Sequence, residues 1–312
     1  MYMDVLVCTY GQNGCVKLIF EQVIQMIDTK IVDLYQRLDL DRGSAQGGTL
    51  EAWLWNTPTA ISPIRRQRPA VLILPGGGYN HVSAREAEPV ALRFLAQGYN
   101  AFVLRYSVYP SRFPTALREA AMAMKYIRAN AGEYEVNPHM VAAIGFSAGG
   151  HLCGTLGTLF DSPEVADIAS PECLRPDALG LCYPVAVSWG RTHTGSFERL
   201  LGNDPAQWQR LSLDHLARAD MPPTYLWHTR TDEAVPVRNS LVLAQAMEEK
   251  GVDFTLRVYR NGPHGLSLGN EQCYGVKNVP ESSPDILDWP ENMMDFFQEV
   301  GFHITDEEVP HE

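Results

Sequence analysis

The sequence lacks the features that mark several broad classes of protein. It is short of positive charge: 25 Lys+Arg stand against 37 Asp+Glu, a formal charge of −12. Nucleic-acid binding needs clustered Lys and Arg to neutralise phosphates, so nucleic acid is not expected as a partner. The longest basic cluster, Arg65-Arg66-Gln67-Arg68, reads as a solvated loop ahead of a strand. Six cysteines (Cys8, Cys15, Cys153, Cys173, Cys182 and Cys273) contain no CxxC pair and no regular spacing. That usage fits free, mostly buried thiols in a reducing compartment rather than a disulfide framework. No apolar run reaches the roughly 18 residues that span a bilayer, so no membrane association is expected. The N-terminus lacks a basic stretch and Asp4 interrupts its first apolar segment, so the expected location is cytoplasmic. There is no HExxH and no zinc-type Cys/His cluster, hence no metal is expected.

What is present is regular alternation. After residue 48, short apolar runs alternate with segments of helical periodicity. Leu50–Trp55 reads as a strand near a sheet edge, whereas Ala70–Leu74 and Ala101–Leu104 read as strands covered on both faces. Met140–Ile144, Leu179–Tyr183, Thr224–His228 and Phe254–Tyr259 continue the series. Helices are expected over Glu88–Gln97, Pro114–Ala131, Ala148–Leu159, Ser240–Lys250 and Trp289–Val300. This order predicts an α/β fold, a mostly parallel central sheet with helices on both faces, in one domain over residues 49–312. Residues 1–48 read differently. Ile19, Phe20, Val23, Ile24, Ile27, Ile31, Leu34 and Leu38 follow helical spacing, which predicts an N-terminal helical extension docked on the body. Met26 stands beside Met1 as a second candidate first residue.

The strongest chemical signal is Gly145-Phe146-Ser147-Ala148-Gly149-Gly150, between an expected strand and an expected helix. A sharp strand-to-helix turn strains its central residue and requires small neighbours, which would present the Ser147 hydroxyl above the sheet as a nucleophile. Such a serine needs a base and an acid to orient it. Asp232 follows one expected strand and His264 the next, in the chain order Ser, Asp, His. Glu233 is the competing acid. His151 reads as a helix-supporting residue and His228 as the partly covered end of a strand, while His81 and His193 are candidates for the pocket rim. Pro75-Gly76-Gly77-Gly78-Tyr79 follows the strand Ala70–Leu74 without the GxGxxG spacing or P-loop lysine of a phosphate site. Three glycines here would let the N–H groups of Gly77 and Gly78 join that of Ala148 in an oxyanion hole. Between Ser188 and Trp208, Trp189, Arg191, His193 and Phe197 suit either a sugar-binding surface or a cap with its own small core.

Together Gly76–Gly78, Gly145–Gly150, Asp232 with Val235-Pro236, and His264 resemble the α/β-hydrolase superfamily over roughly residues 49–300. Within it, Pro75–Tyr79, Ser83–Pro89 and Gly145–Leu152 are similar to the bacterial acetyl-esterase and acetylxylan-esterase-like group, itself related to hormone-sensitive-lipase-type esterases. Those lipase relatives usually carry His before the three glycines, where this chain has Pro75. The resemblance implies hydrolysis of small acyl esters, with acetyl groups on plant polysaccharide fragments as the expected substrates. The expected activity is therefore that of a cofactor-free serine carboxylesterase acting on a small-molecule or oligosaccharide ester. An amide hydrolase with the same triad (a formamidase or small-peptide hydrolase) and an inactive hydrolase-fold binding module remain as alternatives. The oligomeric state is open, a homo-oligomer included.

Overall fold

The computed structural model describes the backbone of residues 4–10 and 16–22, and backbone and side chains of residues 26–56 and 66–306. β1 (Asp4–Tyr10) and β2 (Val16–Gln22) pair antiparallel, Tyr10 opposite Val16. The main sheet is built from β3 (Ile27–Asp33), β4 (Thr49–Trp55), β5 (Arg66–Leu74), β6 (Asn100–Arg105) and β7 (Val136–Phe146). It continues through β8 (Ala178–Cys182), β9 (Thr224–Thr229) and β10 (Phe254–Tyr259). The spatial order is β10-β9-β8-β7-β5-β6-β4-β3, and the short β11 (Thr305–Asp306) pairs with the start of β5. From β6 to β10 every pairing is parallel; β4 joins β6 antiparallel and β3 joins β4 antiparallel.

Continuous apolar runs form the parallel strands because both of their faces are covered. On β5, Ala70, Leu72 and Leu74 enter one core, while Val71 and Ile73 enter the other. The period-2 geometry of a strand sends successive side chains to opposite faces, so an unbroken apolar run can feed two cores. The first core is closed by α3 (Thr115–Ala129), α4 (Ala148–Leu159) and α6 (Arg238–Glu249), through residues such as Leu117, Met124, Leu156 and Leu243. The second is closed by α2 (Glu88–Leu95) and α7 (Trp289–Glu299), through Val90, Phe94, Trp289, Met293 and Phe297. Full burial of each such side chain contributes about 1.5–3 kcal/mol. Among the described residues no helix is long and apolar enough to cross a membrane, and Cys153, Cys173, Cys182 and Cys273 are free thiols.

Two expectations near the N-terminus are corrected. The helix expected over residues 16–40 is instead strand β2, strand β3 and only a short helix, α1 (Leu34–Leu38), capped by the Asp33 carboxylate accepting from the Gln36 N–H; residues 23–25 lie outside the described residues. Positions four apart, such as Ile27 and Ile31, share a face in a strand as well as in a helix, so their spacing does not discriminate. The β-branched Ile27, Thr29, Ile31 and Val32 favour the strand, and Ile31 is 79% exposed rather than docked. Since β3 pairs with β4 along its whole length, the sheet begins well before residue 49. The cluster Arg66–Arg68 is likewise strand rather than loop, with Arg68 buried and its guanidinium lying over Trp55. Pairing with β11 and the packing of Arg68 draw these residues into the sheet.

Candidate active site

The ends of the parallel strands bring the sequence-predicted residues together. Ser147 sits at the turn between β7 and α4 with φ 52° and ψ −118°, a backbone conformation that L-residues rarely adopt. The turn is pinned by Ser147 N–H donating to Cys182 O and Val185 N–H donating to Ser147 O. It also closes tightly: a Cβ on Gly149 would fall 2.1 Å from Leu74 O, so only glycine fits there. Ser147 Oγ lies 2.7 Å from His264 Nε2, and His264 Nδ1 lies 2.6 Å from Asp232 Oδ2.

The loops carrying Asp232 and His264 leave adjacent parallel strands, with Thr229 opposite Tyr259 in register. Thr229 Oγ1 donates to Gly262 O, and Gly262 N–H donates to Thr231 Oγ1, which ties the two loops together. Asp232 is buried, and its Oδ1 accepts from the N–H groups of Ala234 and Val235. His228 is fully buried rather than partly covered; its Nε2 lies 3.4 Å from Asp232 Oδ2 and donates to Val235 O. Burial alone would raise the Asp232 pKa. Hydrogen bonds from His228 and His264, with the Val235 N–H, outweigh that effect and hold the carboxyl well below the usual carboxylate range. Glu233, the competing acid, is exposed to solvent.

The glycine loop faces Ser147 across the pocket. Gly77 has φ 124°, and a Cβ there would fall 2.0 Å from His81 O, so the loop can turn in this way only with glycine. Among the described residues, the N–H groups of Gly77, Gly78 and Ala148 donate to no protein acceptor. They remain available to a ligand oxygen at the N-terminus of α4, where the helix field favours negative charge.

Three supporting groups surround the triad; the sequence points only to His151 among them, as a helix-supporting residue, and not to its partners. Glu86 is buried; its Oε2 accepts from Gly76 N–H at 2.8 Å and its Oε1 from the Tyr183 hydroxyl at 2.8 Å. Tyr183 also accepts from Ser267 N–H and lies edge-on to the His264 ring, so Glu86 links the glycine loop to the histidine loop. On the opposite side, His151 is buried between the Tyr79 hydroxyl and Leu211 O, which joins α4 to the glycine loop. The Leu211 carbonyl only accepts, so Nε2 carries the proton and Nδ1 accepts from Tyr79. Burial lowers the His151 pKa to about 4 and keeps the ring neutral. Arg199 donates to Gly78 O and Gly195 O, stapling α5 (Thr194–Leu201) to the glycine loop. Charged residues in a helix or loop are usually solvated, so one-dimensional pattern offers no signal for these contacts.

The cavity, about 320 Å³, is lined by Ser147, His264, Gly77, Gly78, Glu86, Arg85, His193 and Arg199 among others, and Ala234 is its one apolar lining side chain among the described residues. Both rim candidates, His81 and His193, line it. Phe197 does not: it stacks on Trp208 within a small core that includes Val185 and Val235. Trp189 is half-buried, with its indole N–H on Asp214 and the Arg238 guanidinium over its ring.

The sequence pattern of the prolyl oligopeptidase family matches residues 118–281, and that of the BD-FAE family matches residues 62–171. A solved acetyl ester-xyloside bifunctional hydrolase from Caldicellulosiruptor lactoaceticus is 32% identical, with a TM-score of 0.74 over 88% of this chain and 97% of that one. Endo-1,4-β-xylanase B of Butyrivibrio fibrisolvens is 37% identical over 221 residues, covering 67% of this chain and 34% of that protein. The acetylxylan esterase of Xylanibacter ruminicola is 29% identical over 208 residues, covering 64% of this chain and 41% of that protein. The chain thus spans roughly a third to two fifths of the length of these curated relatives. With an almost full-length match to a solved hydrolase at this identity, and a family pattern covering half the chain, the protein belongs to the α/β-hydrolase family of esterases.

Proposed function

We propose that this protein is a serine carboxylesterase that removes acetyl and other short acyl groups from oligosaccharide esters by way of an acyl-enzyme. The observation that carries this reading is the Ser147–His264–Asp232 hydrogen-bond chain, 2.7 and 2.6 Å, facing three N–H groups that have no protein acceptor among the described residues. In this mechanism Ser147 Oγ attacks the acyl carbon while His264 Nε2 takes its proton. Asp232 holds the imidazole through Nδ1 and stabilises its positive charge without itself becoming protonated. The N–H groups of Gly77, Gly78 and Ala148 bind the developing oxyanion; one such donor is worth about 2.7–4 kcal/mol of barrier. His264 then protonates the departing alcohol, and water cleaves the acyl-enzyme by the same route in reverse.

Short acyl groups are favoured because the cavity is only about 320 Å³ and Ala234 is the one apolar side chain that lines it among the described residues, so no large apolar side chain is there to receive a long acyl chain. Burying each methylene of a longer chain gains about 0.8 kcal/mol only where apolar surface receives it. Polysaccharide fragments are favoured by the relatives named acetylxylan esterase and acetyl ester-xyloside hydrolase. The amide alternative is supported by the match to the prolyl oligopeptidase family and by relatives named acylamino-acid-releasing enzymes.

The test is a p-nitrophenyl ester series beside acetylated xylo-oligosaccharides, aryl-formamides and short peptides, with a fluorophosphonate label on the same preparations. Acetate should be the best ester and labelling should vanish in Ser147→Ala. Faster turnover of formamide or peptide than of any ester would replace this reading with the amide one. Labelling that survives Ser147→Ala would remove it altogether.

A further inference from the structure

We infer that Arg85 recognises a carboxylate on the alcohol part of the substrate, so that the preferred esters are acetylated oligosaccharides bearing a uronic-acid substituent. This inference rests on the esterase reading above and specifies its substrate.

Arg85 lines the same cavity as Ser147 and His264. Its guanidinium lies 4.6 Å from the centre of the Tyr274 ring, and the Tyr274 hydroxyl donates to Gly265 O at 2.7 Å. Its own carbonyl accepts from Ser267 Oγ at 2.5 Å. The guanidinium is thus stacked on Tyr274 and the backbone at its base is held by Ser267, while the residue is exposed and lines the cavity. Among the described residues its N–H groups have neither a carboxylate nor a carbonyl partner. Glu86, the carboxylate that lines the cavity, is already taken by Gly76 N–H and the Tyr183 hydroxyl. Arg199, the other cavity guanidinium, differs in being committed to Gly78 O and Gly195 O.

A stacked guanidinium with open donors is suited to grip a carboxylate through two parallel hydrogen bonds. Long-range attraction does not explain it, since the chain carries −12 overall and repels anions at a distance. The side of the pocket follows from the chemistry. His264 must reach the leaving alcohol oxygen to protonate it, and Arg85 Nη2 stands 3.7 Å from where a Cβ on Gly265 would be, beside that histidine. A carboxylate on the departing sugar therefore comes within its reach, whereas the acyl group is oriented by the glycine loop.

The experiment compares kcat/KM for acetylated xylo-oligosaccharides with and without a uronic-acid branch, for the full chain, Arg85→Gln and Arg85→Lys. The ratio of acidic to neutral substrate is read within each protein, so general damage to folding or catalysis cancels. The expected wild-type ratio is about 10, as for one charge-assisted pair, carried by KM and reduced by added salt. It should fall to about 1 in Arg85→Gln and to an intermediate value in Arg85→Lys, which keeps the charge and loses the fork. A wild-type ratio of 1 or below, or a ratio that survives Arg85→Gln, overturns the inference. A half-ester of succinate that gains as much from Arg85 overturns its assignment to the alcohol side. The wild-type chain's hydrolysis of p-nitrophenyl acetate separates the two readings. Cleavage with a ratio of 1 sinks only the role of Arg85, whereas failure to cleave any ester sinks both.

Discussion

Two histidines flank the turn that carries Ser147, and their surroundings differ in one decisive respect. His264 and His151 each lie within hydrogen-bond distance of a hydroxyl, Ser147 at 2.7 Å and Tyr79 at 2.8 Å, and each meets an aromatic ring edge-on. Behind His264 stands the Asp232 carboxylate, and its side chain retains 21% exposure. Behind His151 stands the Leu211 carbonyl, and the ring is buried. A carboxylate can stabilise an imidazolium formed during reaction, whereas a neutral carbonyl in a dry site stabilises it far less. The group behind the ring therefore separates a histidine equipped to take a proton from one that stays neutral and holds a loop in place.

The largest break in this comparison is on the His264 side. Removing either Ser147 or His264 should lower kcat by roughly 10⁶-fold, because members of such a unit fail together; the double variant should be hardly slower than either single one. Additive losses in single-turnover measurements would contradict a shared proton path. Asp232→Asn should cost roughly 10⁴-fold in kcat with KM little changed, since the amide cannot stabilise a charged imidazole. A loss of tenfold or less would mean that the carbonyl-like environment of His151 suffices for a base.

Glu86→Gln sharpens the comparison, because it loosens the glycine loop from the side of His264 rather than of His151. Losing the carboxylate at Gly76 N–H and Tyr183 should lower kcat by about 10–100-fold, in line with the roughly 1–3 kcal/mol cost of a broken buried polar contact. Its effect should fall on kcat more than on KM, and a rise in KM alone would argue that Glu86 binds substrate instead of positioning the loop.

The His151 side should report on stability. Its ring has a native pKa of about 4 against 6.5 for the free side chain, so between these values the unfolded chain binds more protons than the native one. Stability is therefore complete above pH 6.5 and declines as pH falls toward 4, by on the order of 3 kcal/mol. Urea midpoints recorded between pH 7 and 4.5 should fall less steeply in His151→Gln than in wild type. Equal slopes would show that other groups carry the acid sensitivity. Asp232 loses its contribution in the same direction but only at lower pH, since its carboxyl is held below the usual range. The smallest effect belongs to Tyr79→Phe, which should destabilise by about 1 kcal/mol in denaturation midpoints; no change would show that His151 holds the loop by packing alone.

Much of the interior was legible before any coordinates. Ala70–Leu74 and Ala101–Leu104 are apolar without interruption because parallel strands are covered twice, and the helix at Ala148–Leu159 begins where its glycines end the preceding strand. The antiparallel edge was not legible, because Ile27 and Ile31 satisfy helical and strand spacing alike and β3 is defined by its ladder to β4. In the site, Ser147, Asp232, His264 and the glycine loop announce themselves by strand-end position and by a backbone that tolerates no side chain. Glu86, Arg85 and His151 do not, because Tyr183, Ser267, Tyr274 and Leu211, which they meet, are 60 or more residues away in the chain.

The sequence by itself determined the alternation of strands and helices after residue 48, the strained serine turn and the strand-end placement of Ser147, Asp232 and His264 in chain order, since each is a local requirement of backbone geometry or hydrophobic period. Only the tertiary structure decided that Asp232 rather than Glu233 faces His264, that His151 stays neutral, and that Arg85 keeps its donors open toward the cavity. Those outcomes depend on burial and on which polar partner a fold delivers from a distant segment, and neither quantity exists until the chain has closed around them.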